Sequence, residues 1–242
     1  MLTWNDLVIS GAPYSRKSIH EGDIADEVAS WNFAESDWIL TREGVDFPVR
    51  RPVGGWTQFR LNDIAHALAH LCRFNGHCLW HYSVAEHSVL VALRVIQISI
   101  DLGYRGSDIN RMGLAGLFHD GTEAYMVDIP SPWKRLGIFA EYRKIEHSMT
   151  GDLFSHFDCE VTDNEYRIIK RADLEMLAIE ARDVMGPSKR QWLLPVPTMR
   201  GRDDWSLEPE VTAVHGEFQA GMMTRTMANQ EFRRLAARLG VE

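Results

Sequence analysis

The chain reads SVAEHSVLVALRVIQISIDL from Ser83 to Leu102, and this stretch indicates the class of fold. Ser83 and Glu86 form a capping box, in which two side chains satisfy free backbone amides of a first helical turn. Apolar residues then recur at intervals of three and four, which predicts an amphipathic helix that ends before Gly103. His87 lies in the middle of the apolar face, where an ionisable side chain is unexpected.

The same helical period recurs on both sides of this stretch. We predict helices over about 62–72 (with Asn62 as its cap), 108–121, 138–156 and 162–185, a short helical turn at 122–127, and two shorter helices within 209–239. A regular helix is excluded at 128–132, because two prolines remove backbone donors and restrict the residues before them. The sequence pattern of residues 38–47 predicts a small β-hairpin.

The fold class that these patterns predict is all-α. We expect an irregular N-terminal arm at 1–60 that contains the hairpin, followed by a helical core at 61–186. A loop and C-terminal helices at 187–242 are expected to complete the same domain.

Composition excludes several classes of function. The chain has 242 residues, a net charge of −8 and three cysteines, without a CxxC pair. An acidic chain lacks the cationic surface of a general nucleic-acid binder or of a polybasic membrane-surface protein. No apolar run is long enough for a transmembrane helix, and no signal peptide is visible. We therefore expect a globular cytoplasmic protein that binds neither nucleic acid nor membranes.

Two further predicted helices carry ionisable residues beside apolar ones. Asp173 shares a face with Ile169 and Met176, and His119 lies on the apolar face of the predicted helix over 108–121, with Asp120 next to it. A single buried histidine is most often a satisfied core residue, and a single buried aspartate is most often a cap or an ion-pair partner. Four such residues on three helices are better explained by metal coordination, which offsets the cost of burying carboxylates.

The combined pattern predicts one metal site, with the ligands His87, His119, Asp120 and Asp173. Two imidazoles and two carboxylates suit a borderline or hard divalent ion rather than one that selects thiolates. Such a site leaves coordination positions open, as catalysis requires.

Five motifs surround these residues: RFNGH at 73–77, YSVAEHS at 82–88, HDGTEAY at 119–125, DIPSPWK at 128–134 and KRAD at 170–173. Together they resemble the HD-domain metal-dependent phosphohydrolases. The resemblance is strongest to bacterial 5′-deoxynucleotidases and to phage deoxynucleotide phosphohydrolases, which include dATP triphosphohydrolases. It extends from about residue 38 to residue 185.

The resemblance implies a role for each matched residue. It makes His87, His119, Asp120 and Asp173 the ligands of a divalent ion, which would be zinc, cobalt, manganese or magnesium. Arg73 matches the arginine that contacts phosphate, Glu123 matches a catalytic carboxylate, and Asp128 matches a second active-site acid. Phe74 stands where the family often has tryptophan near the sugar or base. Further candidates for substrate contact are His77, Ser131 and Lys134.

The reaction implied by this resemblance is removal of the 5′-phosphate from a deoxyribonucleotide. Alternative hypotheses are release of triphosphate from a dNTP such as dATP, stepwise dNTP dephosphorylation, hydrolysis of alarmones or cyclic nucleotides, and a nucleotide sensor without turnover. The resemblance also implies a homodimer or higher homo-oligomer. For a phage-encoded chain, the expected location is the host cytoplasm.

Simpler interpretations exist for several of these side chains. On these interpretations, Arg73 complements a helix dipole, Glu123 is a solvated surface acid, and Asp128 is a turn residue before proline. His66 and His70 are spaced as a metal-binding pair, but they flank an apolar stripe, so we expect them at the surface.

Overall fold

The computed structural model describes residues 37–187 and 224–241. The elements in chain order are β1 (Trp38–Leu40), β2 (Asp46–Pro48), α1 (Leu61–His70), a 3-10 turn (Arg73–Gly76), α2 (Val84–Asp101), α3 (Ser107–Leu117), α4 (Glu123–Met126), α5 (Ser131–Lys134), a second 3-10 turn (Gly137–Phe139), α6 (Ala140–His156), α7 (Asp163–Asp183) and α8 (Arg225–Leu239). The predicted fold class, helical with one small hairpin, is therefore confirmed for the described residues.

Helix α2 is the centre of the helical core. It packs against α1, α3, α7 and α8. Its capping box forms as predicted, because the Glu86 amide donates to Ser83 Oγ and the Ser83 amide donates to the Glu86 carboxylate. Val84, Val91 and Val95 on its apolar face are fully buried. Each such side chain stabilises the fold by about 1.5–3 kcal/mol.

Helix α7 also begins with a capping box, formed by Thr162 and Glu165. Thr162 Oγ1 accepts from the Glu165 amide, and the Glu165 carboxylate accepts from the Thr162 amide. Arg111 of α3 also donates to Glu165 Oε1 at 2.6 Å. The start of α7 is therefore fixed to α3 as well as capped.

The hairpin packs on the helices through aromatic side chains. β1 and β2 pair antiparallel, with Ile39 opposite Phe47. Phe47 is buried and stacks on Tyr125 with the ring centroids 3.8 Å apart. The Trp56 amide donates to Asp152 of α6 at 3.0 Å. Contacts of this kind join residues 38–60 to the helical core.

Three details of the sequence prediction are wrong. Arg60 is the N-cap of α1, and Asn62 instead donates its side-chain amide to Glu43. Helix α3 ends at residue 117, so His119 and its neighbour lie in the following turn rather than on the helix. The segment at 128–132 is not helix-free, because α5 starts at residue 131. Pro132 is tolerated there because the first helical turn needs no amide donor.

Some predictions fall outside the described residues. Helix α8 accounts for one of the two predicted C-terminal helices. Most of the predicted loop after residue 186, the stretch 209–223 and residues 1–36 of the arm are not described. None of the helices in the described part combines the length and the apolar character that a membrane span requires.

Candidate metal centre

Three segments of the chain bring the four predicted ligands together. His87 comes from α2, Asp173 from α7, and His119 and Asp120 from the turn after α3. His87 Nε2 lies 3.3 Å from His119 Nε2 and 3.4 Å from Asp173 Oδ1. Asp120 Oδ2 lies 3.2 Å from His119 Nε2 and 3.7 Å from His87 Nε2. Ligand atoms of His87, His119 and Asp173 all lie within 4.8 Å of one another, so this buried group could hold a metal ion.

Each imidazole is oriented by a hydrogen bond at its other ring nitrogen. His119 Nδ1 lies 2.8 Å from the Gly116 carbonyl oxygen, and His87 Nδ1 lies 2.6 Å from Glu180 Oε1. Because a carbonyl and a carboxylate accept, Nδ1 of each ring carries the proton. When a ring is neutral, its lone pair is therefore on Nε2, which points into the cluster beside two carboxylates. A cation fits this donor set.

The electrostatics of the cluster favour positive charge at its centre. Burial and Arg73 oppose a charge on His87, but Glu180 and Asp173 outweigh them and raise the pKa of His87 to about 9. Burial also disfavours ionised Asp173, but His87 and Lys170 hold the pKa of this carboxyl well below its usual range. A divalent cation supplies the same charge that a proton otherwise supplies.

Glu180 is a buried residue of this region that the sequence reasoning missed. Its Oε1 accepts from His87 Nδ1 and from the Tyr82 hydroxyl at 2.7 Å. Its Oε2 accepts from Arg73 Nη2 at 3.0 Å. Glu180 follows Asp173 by seven residues, which places both on one face of α7 two turns apart. This spacing is the feature of the sequence that could have indicated Glu180 as part of the site.

Arg73 is held by an unusual turn of the backbone. Phe74 and Asn75 have φ values of 54° and 53°, and Gly76 has 76°. Asparagine and glycine adopt this left-handed conformation readily, whereas phenylalanine rarely does. The Arg73 side chain is buried, and its Nη1 lies 3.5 Å from Asp120 Oδ2. This ion pairing replaces the simpler helix-dipole interpretation of Arg73.

Glu123 is buried rather than solvated, so the surface interpretation of this residue is wrong. Its side chain accepts from Lys134 Nζ at 3.2 Å, and its Oε2 has no hydrogen-bond partner among the described residues. Lys134 also donates to Glu146 at 2.6 Å. Burial, with the nearby charges of Asp120 and Asp128, raises the pKa of Glu123 well above its usual range. A group of this kind can donate a proton.

A cavity of about 890 Å³ opens beside the cluster. Its walls include ten of the eleven predicted site residues, namely Arg73, Phe74, His77, His119, Asp120, Glu123, Asp128, Ser131, Lys134 and Asp173. The eleventh, His87, is fully buried behind the wall. The prediction did not include Trp133, Arg143 and Lys170, which also line the cavity. The volume is that of a small-molecule site.

His66 and His70 lie apart from this site. Their rings pack with centroids 4.1 Å apart, and His70 is exposed, with Nδ1 at 2.7 Å from the His66 carbonyl oxygen. Neither belongs to a possible metal group in the residues that the structure describes. The surface interpretation of this pair is therefore the one the structure supports.

The chain has relatives among known proteins, but it matches no protein-family model. It is 36% identical over 124 residues to the uncharacterized protein YfdR of Escherichia coli, a match that covers 51% of this chain and 60% of that protein. It is 31% identical over 135 residues to an uncharacterized protein of Rhodobacter capsulatus, covering 54% of this chain and 65% of the relative. The chain thus spans less than two thirds of each relative, and neither name states an activity.

Proposed function

We propose that the chain is a metal-dependent phosphohydrolase of the HD-domain type that removes the 5′-phosphate from deoxyribonucleotides. One observation carries the proposal. Four potential metal ligands converge at the wall of a cavity that also presents a buried arginine and two acids whose pKa values are raised. Phosphate-ester hydrolysis needs this combination of cationic and acidic groups.

The donor set supports a divalent ion as cofactor. His87 and His119 would bind through Nε2, and Asp120 and Asp173 through carboxylate oxygens. Two imidazoles favour zinc, cobalt or manganese over magnesium, which prefers oxygen ligands. When bound, such an ion polarises phosphoryl oxygens and makes water a stronger nucleophile near neutral pH.

Arg73 is the group that would bind the phosphate. Burial disfavours its charge, but Glu180 and Asp120 outweigh burial and raise its pKa, so the side chain stays cationic. Its Nη2 is occupied by Glu180 at 3.0 Å, whereas Nη1 lies 3.5 Å from Asp120, at the limit of hydrogen bonding. Nη1 can therefore turn to a phosphate oxygen without loss of the bond to Glu180.

Glu123 is the group that would supply a proton to the leaving oxygen. When water attacks phosphorus and the bond from phosphorus to the 5′-oxygen breaks, the nucleoside oxygen takes the Glu123 proton. The proton released by the attacking water restores protonated Glu123. Asp128 lies in the same cavity wall and is less buried, so it would accept a hydrogen bond from a sugar hydroxyl.

Lys134 has a different place in this proposal from the substrate contact that the resemblance suggested. Among the described residues, its Nζ donates two hydrogen bonds, and both go to carboxylates, those of Glu123 and Glu146. Lys134 would therefore hold Glu123 in position, and any contact with phosphate would be secondary.

The test is hydrolysis of dAMP, dATP and AMP with Mn²⁺ or Co²⁺, followed by chromatography of the products. We expect orthophosphate and deoxyadenosine from dAMP. Asp173→Asn should lose metal and activity, whereas Asp183→Asn, at the end of the same helix and outside the cavity wall, should keep both. Binding of dAMP without turnover would indicate a sensor, and no hydrolysis of any of the three would contradict the proposal.

A dNTP triphosphohydrolase is the second candidate function. The cavity is large, and Arg143 and Lys170 add to the cationic side chains of its walls. These charges suit a ligand with more than one phosphate. In the same assay, intact triphosphate released from dATP would favour this candidate over the monophosphatase.

A further inference from the structure

We infer that Glu180 is a positioning residue that sets the orientation of both His87 and Arg73, and so couples the metal site to the phosphate site. The inference rests on the metal centre of the proposed function but not on the identity of the substrate. Glu180 is only 2% exposed and is not part of the cavity wall, so it acts through the residues that it contacts.

Both oxygens of the Glu180 carboxylate are bound by buried donors, which are three in number. Oε1 accepts from His87 Nδ1 at 2.6 Å and from the Tyr82 hydroxyl at 2.7 Å. Oε2 accepts from Arg73 Nη2 at 3.0 Å. All four side chains are buried, so water does not compete for these bonds.

The bond to His87 determines which ring nitrogen is available to a metal. An ionised carboxylate can only accept, so it keeps the proton on Nδ1 and the lone pair on Nε2. Nε2 is the atom that faces His119 and Asp173. Glu180 therefore selects the tautomer of His87 that can bind a metal, and it fixes the plane of the ring.

Through its hydrogen bond to Arg73, the same carboxylate also orients the guanidinium. Arg73 reaches toward Asp120 with Nη1 while Glu180 holds Nη2. One buried group thus orients a ligand on one side of the cluster and an anion-binding side chain on the other. Because a coupling between two sites acts in both directions, bound metal and bound phosphate should change each other's affinity by the same factor.

Glu175 provides a matched control on the same helix. It is also 2% exposed, and it accepts from Arg94 at 2.6 Å and from Arg171 at 2.9 Å. Neither partner is a predicted ligand or part of the cavity wall. A change at Glu175 therefore removes a buried, paired carboxylate without changing the site.

The experiment compares Glu180→Gln with Glu175→Gln by calorimetric titration of the metal-free protein with Co²⁺, without nucleotide. The amide NH₂ of a glutamine at position 180 is a donor, and it would face either Arg73 or His87. Because both of these side chains also donate, one of the two hydrogen bonds would be lost. We expect metal affinity to fall about 10- to 100-fold in Glu180→Gln, the range for loss of an outer-shell partner. Glu175→Gln should change affinity by less than about twofold. Glu180→Asp, which keeps the charge, should recover part of the loss.

A second measurement separates positioning from general destabilisation. Histidine ¹⁵N spectra of the metal-free protein above pH 9, where His87 is neutral, should show its proton on Nδ1 in the wild type and in Glu175→Gln. In Glu180→Gln the amide no longer fixes Nδ1 as the protonated nitrogen, so a population protonated on Nε2 should appear. The wild-type spectrum tests the inference even if Glu180→Gln fails to fold, because a wild-type ring protonated on Nε2 alone would overturn it.

The possible results of these experiments separate the positioning role of Glu180 from the proposed phosphohydrolase activity. Wild-type metal affinity in folded Glu180→Gln, or equal losses in the two variants, would overturn the role of Glu180 alone. A wild-type protein that binds no Co²⁺ would overturn the metal site and the inference together. Failure to hydrolyse nucleotides would overturn the proposed function but leave the affinity test unaffected.

Discussion

At the scale of single residues, burial changes the chemistry of acids that look ordinary in the sequence. Glu123 follows Asp120 by three residues, a spacing that is equally typical of a solvated helix face. In the fold it is 4% exposed, with Lys134 as its partner. The four candidate ligands could be proposed from the sequence because they lie on or beside apolar stripes. The spacing from Asp173 places Glu180 on the same face of its helix, but its contacts with Tyr82 and Arg73 could not be predicted, because these partners lie about a hundred residues away in sequence.

The first prediction concerns Glu123→Gln. An amide keeps the shape of the side chain but cannot supply the proton, so kcat with dAMP should fall about 10²- to 10⁴-fold. Metal content, measured by elemental analysis, should stay at the wild-type level because Glu123 is not among the four ligands. Glu141→Gln on the exposed face of α6 is the control and should leave both quantities unchanged. Loss of metal in Glu123→Gln would show that Glu123 is itself a ligand.

At the scale of the elements, local interactions explain what the sequence predicted well. Both capping boxes consist of residues three apart, so α2 and α7 begin where the motif indicates. The end of α3 depends instead on tertiary packing. A Cβ at Gly121 would lie 2.7 Å from Leu153 of α6, so the turn after α3 packs closely against a distant helix. No local pattern encodes such a contact.

The second prediction concerns the stability of α7 as a function of pH. Hydrogen bonds from Arg111 and Thr162 lower the pKa of Glu165 to about 2, against an ordinary value of 4.5. The ionised carboxylate therefore stabilises the fold above pH 4.5, and this contribution is lost as pH falls from about 4.5 to about 2. At pH 6, Glu165→Gln should lower the free energy of unfolding by about 1–2 kcal/mol.

Denaturant titrations at pH 6 and pH 3 test this dependence. The difference between wild type and Glu165→Gln should become smaller at pH 3, because the carboxyl is then largely protonated in the unfolded chain but still mostly ionised in the folded one. A difference that is the same at both pH values would contradict the assignment of the lowered pKa to Glu165.

At the scale of the whole molecule, the candidate metal centre exists only when the chain is folded. His87 and His119 are 32 residues apart, and Asp173 belongs to another helix. The unfolded chain does not bring these side chains together, so a metal should bind the native state preferentially. Metal affinity then adds directly to the stability of the fold.

The third prediction follows from this linkage. A free Co²⁺ concentration of about 100 times Kd should stabilise the wild type by about 2.7 kcal/mol. For a chain of this length, that corresponds to a rise in Tm of about 5–10 °C in differential scanning calorimetry. Asp173→Asn should show little or no rise. An equal rise in this variant would mean that Co²⁺ binds elsewhere.

The left-handed turn after Arg73 has a consequence for how a ligand is recognised. A backbone that holds Phe74, Asn75 and Gly76 at positive φ has few other conformations open to it within the folded protein. In the proposed phosphohydrolase, the guanidinium is therefore oriented before the phosphate binds, and little conformational freedom is lost on association. Such rigidity selects by shape, so a phosphate presented at the wrong angle should be rejected rather than accommodated.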